Sequence, residues 1–444
     1  MDNHLKRSIG LGSALSIIVG TIIGSGIFFK QASVLDSAGS TFMALLAWIL
    51  AGIITLTAGL TIAEIGAQMP YTGGLYVYIE KIYGRVLGFM AGWMQAIVYG
   101  PAMIAAVTGF LSIMVTNLFG IGTEWRIPIG LITIIAIGGL NFLENKVGAA
   151  FAIITTIAKM IPIFAIIFCG ICWGEQNAVA QTVTELNRST GGLGVAVLAA
   201  LFAYDGWIFI ANLGGEIKNP QKLLPKAIII GITTVLVIYA LITIGIFSFI
   251  PADKIHALGK NSTTYLADAI LGPIGGGKVL SVGIIISMLG TLNGEMLTFP
   301  RIIYAMAKRG DLPFSRFLSY VTPKGKAPVI ATMLLITLTG IMMTFFDPDY
   351  LSNLCVFTIY SFYVLAFFGL FILRYKNKDQ RPFSVPFYPL IPLVAIAGGL
   401  FVLVSQFFND PAGVLLFTGI TAVGWPIFFL VKKMSKAQNT IIED

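Results

Sequence analysis

The sequence has few charged residues and almost no cysteine. Charged side chains make up 11% of its 444 residues, whereas soluble domains average about 25%. Its three cysteines lie in apolar runs, so a disulfide framework is excluded. Phosphate-binding loops, HExxH and GxSxG are missing, which leaves ATP-driven transport and hydrolysis without support. With 57% hydrophobic residues and a mean hydropathy of +0.90, the composition excludes a water-soluble enzyme.

Long apolar runs dominate the chain instead. At about 20 apolar residues per crossing of a lipid bilayer, 57% of 444 residues supplies roughly twelve spans. We therefore predict an all-α polytopic membrane protein with twelve transmembrane helices, separated by polar or Pro- and Gly-containing breaks. Spans 1 to 12 are predicted at 9–35, 41–69, 86–116, 127–143, 149–172, 193–214, 225–250, 278–307, 328–346, 352–374, 387–407 and 412–432.

The 28 Lys and Arg residues are distributed unequally between alternate loops. With the N-terminus inside, 20 of them lie in inner segments, 5 in outer segments and 3 within spans. Because basic residues concentrate in cytoplasmic loops, we expect a multi-pass protein of the plasma (inner) membrane with both termini cytoplasmic. The same distribution accounts for the net charge of +8 without a nucleic-acid partner, which would require a clustered basic face on a soluble fold.

Six charged residues fall within the predicted spans, where a charge is costly. They are Lys30, Glu64, Lys159, Asp205, Glu295 and Arg301. Lys30 and Arg301 lie near span ends, where snorkelling to the interface accounts for them. Glu64 lies five residues from the inner end of span 2 and can lean towards the interface, so we expect a structural role. The other three are too deep for this explanation and require partners or a polar cavity.

Two spans contain helix-breaking segments. In span 1, Gly20, Gly24, Ser25 and Gly26 lie within GTIIGSGIF, and each interior glycine weakens a helix. The alternative is a small-residue packing face, since Gly20 and Gly24 also form a GxxxG pair. In span 6, FAYDGW at 202–207 contains Asp-Gly, a helix breaker whose carboxylate is also a local hydrogen-bond acceptor.

The two breaks occur in the first span of two successive sets of five. An odd number of helices gives the sets opposite orientations, and paired broken spans indicate a transporter with its site near the bilayer midplane. We predict inverted repeats at 9–172 (spans 1 to 5) and 193–374 (spans 6 to 10). Spans 11 and 12 follow at 387–432.

Broken helices suggest a zwitterionic ligand, because they expose N–H groups at one half-helix and C=O groups at the other. An α-amino acid has this charge pattern. We expect its carboxylate at the N–H groups of Ser25, Gly26 and Ile27, with Gly24 and Gly26 permitting close approach. We expect its ammonium at the carbonyls of Ile22, Phe202, Ala203 and Asp205.

Several side chains near the breaks are weaker candidates. Tyr204 and Trp207 flank the span 6 break and either gate the pocket or form ordinary aromatic packing. Tyr239 in span 7 and Glu295 in span 8 are polar groups that could meet the substrate or a gate. No residue pattern predicts a metal or a cofactor.

At these residues the sequence resembles the amino acid–polyamine–organocation superfamily, which has the five-plus-five inverted-repeat fold named after the leucine transporter. GTIIGSGIF, LFAYDGW followed by GGEIKNP, and PRIIYAMAKRGDLP resemble the L-type amino acid transporter family, especially its bacterial serine/threonine exchanger type. The resemblance covers nearly the whole chain. It implies a sodium-independent exchanger (antiporter) of small neutral L-amino acids such as Ser, Thr and Ala, working by alternating access, with spans 11 and 12 peripheral.

The resemblance also implies a role for Lys159, in TTIAKMIP of span 5. Sodium-dependent relatives bind an ion between spans 1, 5 and 8, and sodium-independent members have a lysine of span 5 there. Its ammonium would donate to carbonyls of span 1 and to hydroxyls such as Ser287 or Thr291. Lys159 would then be a fixed cation that couples binding to helix movement, or a proton carrier in a proton-coupled symporter. The alternative is a lysine merely paired with a neighbouring carbonyl.

One difference from the family's human members concerns a partner. Those members carry a cysteine in the outer loop after span 3, through which they are linked to a heavy subunit. The corresponding loop here, 117–126, has no cysteine. We therefore expect no disulfide-linked heavy subunit.

Overall fold

The computed structural model describes residues 9–71, 73–142, 145–183, 192–214, 217–271, 277–322, 327–376 and 381–443. Within these ranges the chain is helical, and its strand-like pairings are two isolated bridges, Ile9 with Ile217 and Ser40 with Thr182. Part of the GGEIKNP motif, Gly215 and Glu216, lies outside the described residues.

The helices are numbered in chain order. They are α1 (Leu11–Ile22), α2 (Gly26–Ala38), α3 (Thr41–Gln68), α4 (Gly74–Tyr83), α5 (Arg85–Trp93), α6 (Gly100–Phe119), α7 (Arg126–Leu140), α8 (Asn145–Trp173), α9 (Gly192–Tyr204), α10 (Phe209–Asn212), α11 (Pro220–Phe249), α12 (Ala252–Leu258), α13 (Ser262–Leu271), α14 (Gly277–Lys308), α15 (Ser315–Leu318), α16 (Val329–Phe345), α17 (Pro348–Lys376), α18 (Leu390–Asn409), α19 (Pro411–Ala422) and α20 (Gly424–Glu443).

The twelve predicted spans all coincide with helices. Nine helical segments in the described ranges are long and apolar enough to cross a membrane, and the bent pair α1 and α2 makes a tenth. Two shorter apolar helices, α9 and α16, correspond to spans 6 and 9. The predicted class, an all-α membrane protein with twelve helices, is confirmed.

The break in span 1 is a real bend. Helix α1 ends where Ile23 becomes extended (φ −75°, ψ 96°), and α2 starts again at Gly26 with its axis turned by 45°. Gly24 also permits close packing, since a Cβ there would lie 2.8 Å from Thr291 Oγ1 of α14. The glycines therefore serve both predicted purposes, breaking the helix and admitting a neighbour.

The break in span 6 follows from Asp-Gly. Helix α9 ends at Tyr204, residues 205–208 form turns, and α10 begins at Phe209. Gly206 has φ 104°, a left-handed backbone that residues with a Cβ rarely adopt. Glycine at this position therefore fixes where the helix is interrupted.

A third irregularity, in span 3, was not predicted. Between α5 and α6 the chain forms a π-helical segment at Met94–Tyr99. Pro101 follows it closely, and proline has no N–H for the carbonyl of Ile97, so the wider turn accommodates the lost hydrogen bond. This segment positions Tyr99 in the interior.

Both breaks lie inside the molecule because long helices surround them. Helix α2 packs against α9, α11 packs against α3 and α8, and α14 packs against α8, α6 and α1. The interrupted backbone is therefore enclosed by protein, the condition under which irregular backbone is tolerated at membrane depth.

The snorkelling explanation of Lys30 is wrong. Its side chain is 0% exposed, and Nζ donates to Asp349 Oδ1 at 2.8 Å and to Asn353 Oδ1 at 3.2 Å. The rings of Phe110 and Phe202 lie 5.9 and 5.6 Å from this ammonium. Because α17 supplies a carboxylate and the two rings lie close to the ammonium, Lys30 forms an internal ion pair instead of reaching the interface.

Glu64 has a structural role, but by a different route from the one predicted. It is fully buried and accepts hydrogen bonds at 2.7 Å from Arg374 Nε and from the Val385 backbone N–H. It thus ties α3 to α17 and does not lean towards the interface. Arg301, in contrast, is exposed, as expected for a snorkelling residue.

Candidate functional site

The two broken segments contact each other. Thr21 Oγ1 of α1 lies 3.2 Å from the carbonyl oxygen of Gly206. A Cβ built on Gly26 would lie 2.5 Å from the Cα of Ala203, closer than real Cβ contacts come. The start of α2 therefore packs directly against the end of α9.

The start of α2 presents unused backbone donors. The N–H groups of Gly24, Ser25, Gly26 and Ile27 donate to no described residue. Backbone bonding resumes with the N–H groups of Phe28 and Phe29, which donate to the Ser25 carbonyl at 3.1 and 3.0 Å. Free N–H groups at the positive end of a helix dipole attract an anionic group.

The carbonyls expected to receive an ammonium are largely engaged within the protein. The Tyr239 hydroxyl lies 2.8 Å from the carbonyl oxygen of Ala203 and 3.1 Å from that of Ile22. The Phe202 carbonyl accepts from the Asp205 N–H at 3.3 Å. Tyr239, a weaker candidate from sequence, therefore bridges both breaks, and in this arrangement it stands where an ammonium would donate.

Asp205 is buried and has two donors. Its Oδ2 accepts from the Tyr99 hydroxyl at 2.7 Å, and its Oδ1 accepts from the Gly206 N–H at 2.8 Å. The second bond is the local acceptor role expected of Asp-Gly. Sequence analysis missed Tyr99, and Gly100-Pro101, which accompanies the π turn, was the available signal.

The aromatic residues at the second break are packed into the core. The Tyr204 ring lies 4.9 Å from that of Tyr239 and 6.3 Å from that of Trp48. The Trp207 ring lies 5.2 Å from that of Tyr363. Of the two interpretations of Tyr204 and Trp207, these contacts favour aromatic packing in this conformation.

Lys159 holds the end of α1. Its side chain is 1% exposed, and Nζ donates to the carbonyl oxygens of Gly20 at 2.6 Å and Ile23 at 2.7 Å. The Ile23 carbonyl oxygen also lies 3.3 Å from Thr291 Oγ1 of span 8, so Thr291 and Lys159 contact the same oxygen. Ser287 Oγ is buried without a hydrogen-bond partner among the described residues. The cation stabilises the negative end of α1.

Within the described ranges, no cluster of three or more His, Cys, Asp or Glu residues is arranged to hold a metal ion. The polar groups around the breaks are backbone N–H and C=O groups, hydroxyls, two carboxylates and one ammonium. Such a set suits a small molecule that carries both charges.

Two buried helix breaks in contact within a twelve-helix membrane protein define a secondary transporter. Residues 9–431 match the amino acid permease family, and the chain belongs to that family. Over 436 residues it is 47% identical to the serine/threonine exchanger SteT of Bacillus subtilis (strain 168), covering 97% of this chain and 98% of that protein.

Two more distant relatives are mammalian. The human cystine/glutamate transporter is 30% identical over 435 residues, covering 96% of this chain and 85% of the relative. Mouse large neutral amino acids transporter small subunit 2 is 31% identical over 437 residues, covering 96% and 81%. The resemblance recognised from the motifs is confirmed, and the protein is an amino acid transporter rather than an enzyme.

Proposed function

We propose that this protein exchanges small neutral L-amino acids such as Ser, Thr and Ala across the plasma membrane, without sodium and by alternating access. The observation that carries the proposal is the contact between two broken helices, which leaves the N–H groups of residues 24–27 unused beside buried carbonyls. The 47% identity to a serine/threonine exchanger supports both the mode of transport and the substrate class.

The substrate carboxylate binds at the N–H groups of Ser25, Gly26 and Ile27, and Gly24 and Gly26 keep the approach open. The ammonium binds at carbonyls of the two breaks. The carbonyls assigned to it are those of Ile22, Phe202, Ala203 and Asp205, beside Tyr204. Because the Tyr239 hydroxyl, with its single proton, already lies within hydrogen-bond distance of two of these carbonyls, substrate binding requires it to share or to leave them.

The structure therefore represents a closed state of the site in this proposal. Gly26 and Ala203 must separate before a carboxylate enters between α2 and α9. On the predicted outer side, the ion pair between Lys30 and Asp349 ties α2 to α17. On the predicted inner side, Arg309 forms a bidentate pair with Glu80 at 2.6 and 2.8 Å. The site is open to one side of the membrane when the ion pair on that side is broken and the ion pair on the other side remains.

In this proposal the two inverted repeats move relative to each other when the protein changes between the state open to the outer side and the state open to the inner side. In this proposal the first repeat is residues 9–172, which begins with α1 and α2. The second repeat is residues 193–374, which begins with α9 and α10. Residues 387–432 lie outside them. Both termini are cytoplasmic, as the 20 inner against 5 outer basic residues indicate.

Lys159 is the coupling residue of this proposal. Its ammonium binds the carbonyls of Gly20 and Ile23, where a metal cation would otherwise offset the same negative helix end. A fixed cation at this place supports transport that needs no sodium. The alternative role, a titrating proton carrier in a symporter, is separated from it by the experiment below.

The protein works without a disulfide-linked heavy subunit in this proposal. Cys169, Cys172 and Cys355 are free cysteines of the helices, and the outer loop 117–126 contains none. Identical mobility of the protein on reducing and non-reducing gels of native membranes is expected. A larger band that disappears on reduction would contradict this part.

Vesicles reconstituted with the purified protein test the function. Labelled L-serine should enter in sodium-free buffer when the vesicles contain unlabelled L-serine, and should not enter empty vesicles. Equal uptake into empty vesicles would refute exchange. Concentrative uptake driven by an imposed pH gradient alone would instead establish the proton-coupled symporter.

A further inference from the structure

The hydroxyl of Tyr99 joins the two predicted repeats inside the membrane. Tyr99 belongs to span 3 in the first repeat and is 0% exposed, and its hydroxyl donates to Asp205 Oδ2 of the second repeat at 2.7 Å. Asp205 follows directly after α9, whose C-terminal end carries a partial negative charge. A buried carboxylate at this end of a helix is unfavourable without hydrogen-bond donors, so the Tyr99 hydroxyl stabilises its position.

The backbone of span 3 places this hydroxyl. Tyr99 ends the π-helical segment, in which the Gly100 N–H donates to the carbonyl oxygen of Gln95, five residues earlier. A Cβ on Gly100 would lie 2.8 Å from Cδ1 of Phe299, so glycine at this position admits that ring. Phe299 in turn packs edge-on against Tyr99, with 5.5 Å between the ring centroids. The Tyr99 ring is therefore held by packing, and its hydroxyl has a fixed place.

The carboxylate that Tyr99 holds also fixes one peptide unit of the second break. Asp205 Oδ1 accepts a hydrogen bond from the Gly206 N–H at 2.8 Å. That N–H belongs to the same planar trans peptide unit as the Asp205 carbonyl, so the two groups point in opposite directions. Because the carboxylate fixes the direction of the N–H, it also fixes the direction of the carbonyl.

The Asp205 carbonyl is one of the four assigned above to the substrate ammonium. Two of the others, those of Ile22 and Ala203, lie 3.1 and 2.8 Å from the Tyr239 hydroxyl. The third, that of Phe202, accepts from the Asp205 N–H, and no described residue donates to the Asp205 carbonyl itself. The direction of this carbonyl therefore decides whether the ammonium meets an unused acceptor.

We propose that Tyr99 is a positioning residue for substrate binding, which directs the Asp205 carbonyl towards the substrate ammonium through the Asp205 carboxylate and the Gly206 N–H. This inference rests on the function proposed above and adds a residue that does not itself touch the substrate. The link consists of a hydroxyl, a carboxylate and a backbone N–H in series. Removing the hydroxyl or the carboxylate should therefore release the same carbonyl.

The test is the KM for L-serine in exchange by reconstituted vesicles. Tyr99→Phe keeps the ring against Phe299 and removes the hydroxyl, so KM should rise about tenfold while the maximal rate changes by less than about twofold. Tyr78→Phe is the matched control, because the Tyr78 hydroxyl is buried without a hydrogen-bond partner among the described residues; it should leave KM unchanged. A purely structural role of the Tyr99 hydroxyl would lower the melting temperature and the maximal rate with KM unchanged, and that outcome overturns the proposal.

Two changes at Asp205 test the link itself. Asp205→Asn keeps an oxygen for the Gly206 N–H and offers an amide donor to the Tyr99 oxygen, so KM should stay near that of the wild type. A large increase would show that the charge acts on the substrate directly, and it would overturn the proposal. Asp205→Ala removes the link, so adding Tyr99→Phe to it should raise KM no further; multiplied effects of the two changes would overturn the proposal.

If Tyr99→Phe does not fold, Asp205→Ala decides alone: KM should rise about tenfold, and an unchanged KM overturns the proposal. Absence of exchange in wild-type vesicles would reject the proposed function instead. Thermal-shift binding of L-serine in detergent then tests Tyr99 without transport. Tyr99→Phe should weaken this binding about tenfold, and equal affinity of variant and wild type overturns the proposal.

Discussion

The hydrogen-bond distances of the Lys159 ammonium predict how transport changes when this group is removed. It is enclosed by protein and donates to the carbonyls of Gly20 and Ile23 at 2.6 and 2.7 Å. Hydrogen bonds that involve a charged group contribute about 1.5 to 3 kcal/mol each. Replacing Lys159 with Met keeps most of the stem and removes both bonds, so the change isolates the ammonium from the packing.

The loss should appear chiefly in turnover. Thr291 still donates to the Ile23 carbonyl, so one of the two oxygens keeps a partner. We therefore take the lower end of the range, about 1.5 kcal/mol, for each of the two bonds, or about 3 kcal/mol together. Losing this stabilisation of the state in which Lys159 holds the end of α1 corresponds to roughly a 100-fold shift in the equilibrium between states. Exchange of labelled L-serine at saturating substrate should fall by about this factor, while binding measured by thermal shift changes less.

Lys226→Met is the matched control, because Lys226 is an exposed lysine near the start of α11, on the predicted inner side. It should leave turnover unchanged. The reasoning is refuted if Lys159→Met retains wild-type turnover at saturating substrate. A loss confined to affinity would likewise refute it, since that would make Lys159 part of the binding surface and not of the coupling.

Three further changes test other contacts. Gly26→Leu should abolish amino-acid binding in a thermal-shift assay, because the side chain would fill the position assigned to the substrate carboxylate, and a Cβ there already lies 2.5 Å from Ala203 Cα; retained L-serine affinity would contradict the backbone site. Tyr239→Phe should lower exchange about tenfold, since it removes the hydroxyl that joins the two breaks in the closed state and so destabilises that state of the transport cycle by about one hydrogen bond; an unchanged rate would remove Tyr239 from the mechanism. Arg374→Met should destabilise the protein by about 3 kcal/mol in detergent unfolding, because Glu64 then keeps a buried charge without its cation; a loss under about 1 kcal/mol would contradict this.

Much of the architecture follows from local sequence. The lengths of apolar runs determine the twelve spans, because the bilayer sets about 20 residues per crossing. The helix breaks are equally local. Gly24, Gly26 and Gly206 interrupt helices through their own backbone properties, so the positions of the breaks can be predicted from the sequence. Two of the family motifs, GTIIGSGIF and LFAYDGW, lie at these breaks, so the class of transporter could also be predicted from the sequence.

Partners across the fold were decided only by the tertiary structure. Lys30 and Asp349 are 319 residues apart, and Glu64 and Arg374 are 310 apart, so no local pattern pairs them. Position near a span end predicted snorkelling for Lys30, but burial depends on which helix packs against it. The same holds for Tyr239, whose hydroxyl reaches both breaks only because α11 packs beside them.

The amino-acid sequence by itself determined where this chain crosses the membrane, where its helices break and where its charges are deep. The tertiary structure decided which deep charges are satisfied by other residues: Lys159 and Asp205 have hydrogen-bond partners, whereas the carboxyl oxygens of Glu295 have none among the described residues. The physical reason is the range of each interaction. Hydrophobic span length and backbone conformation act within about 20 residues, whereas hydrogen bonds between buried groups depend on the packing of helices that are distant in the chain.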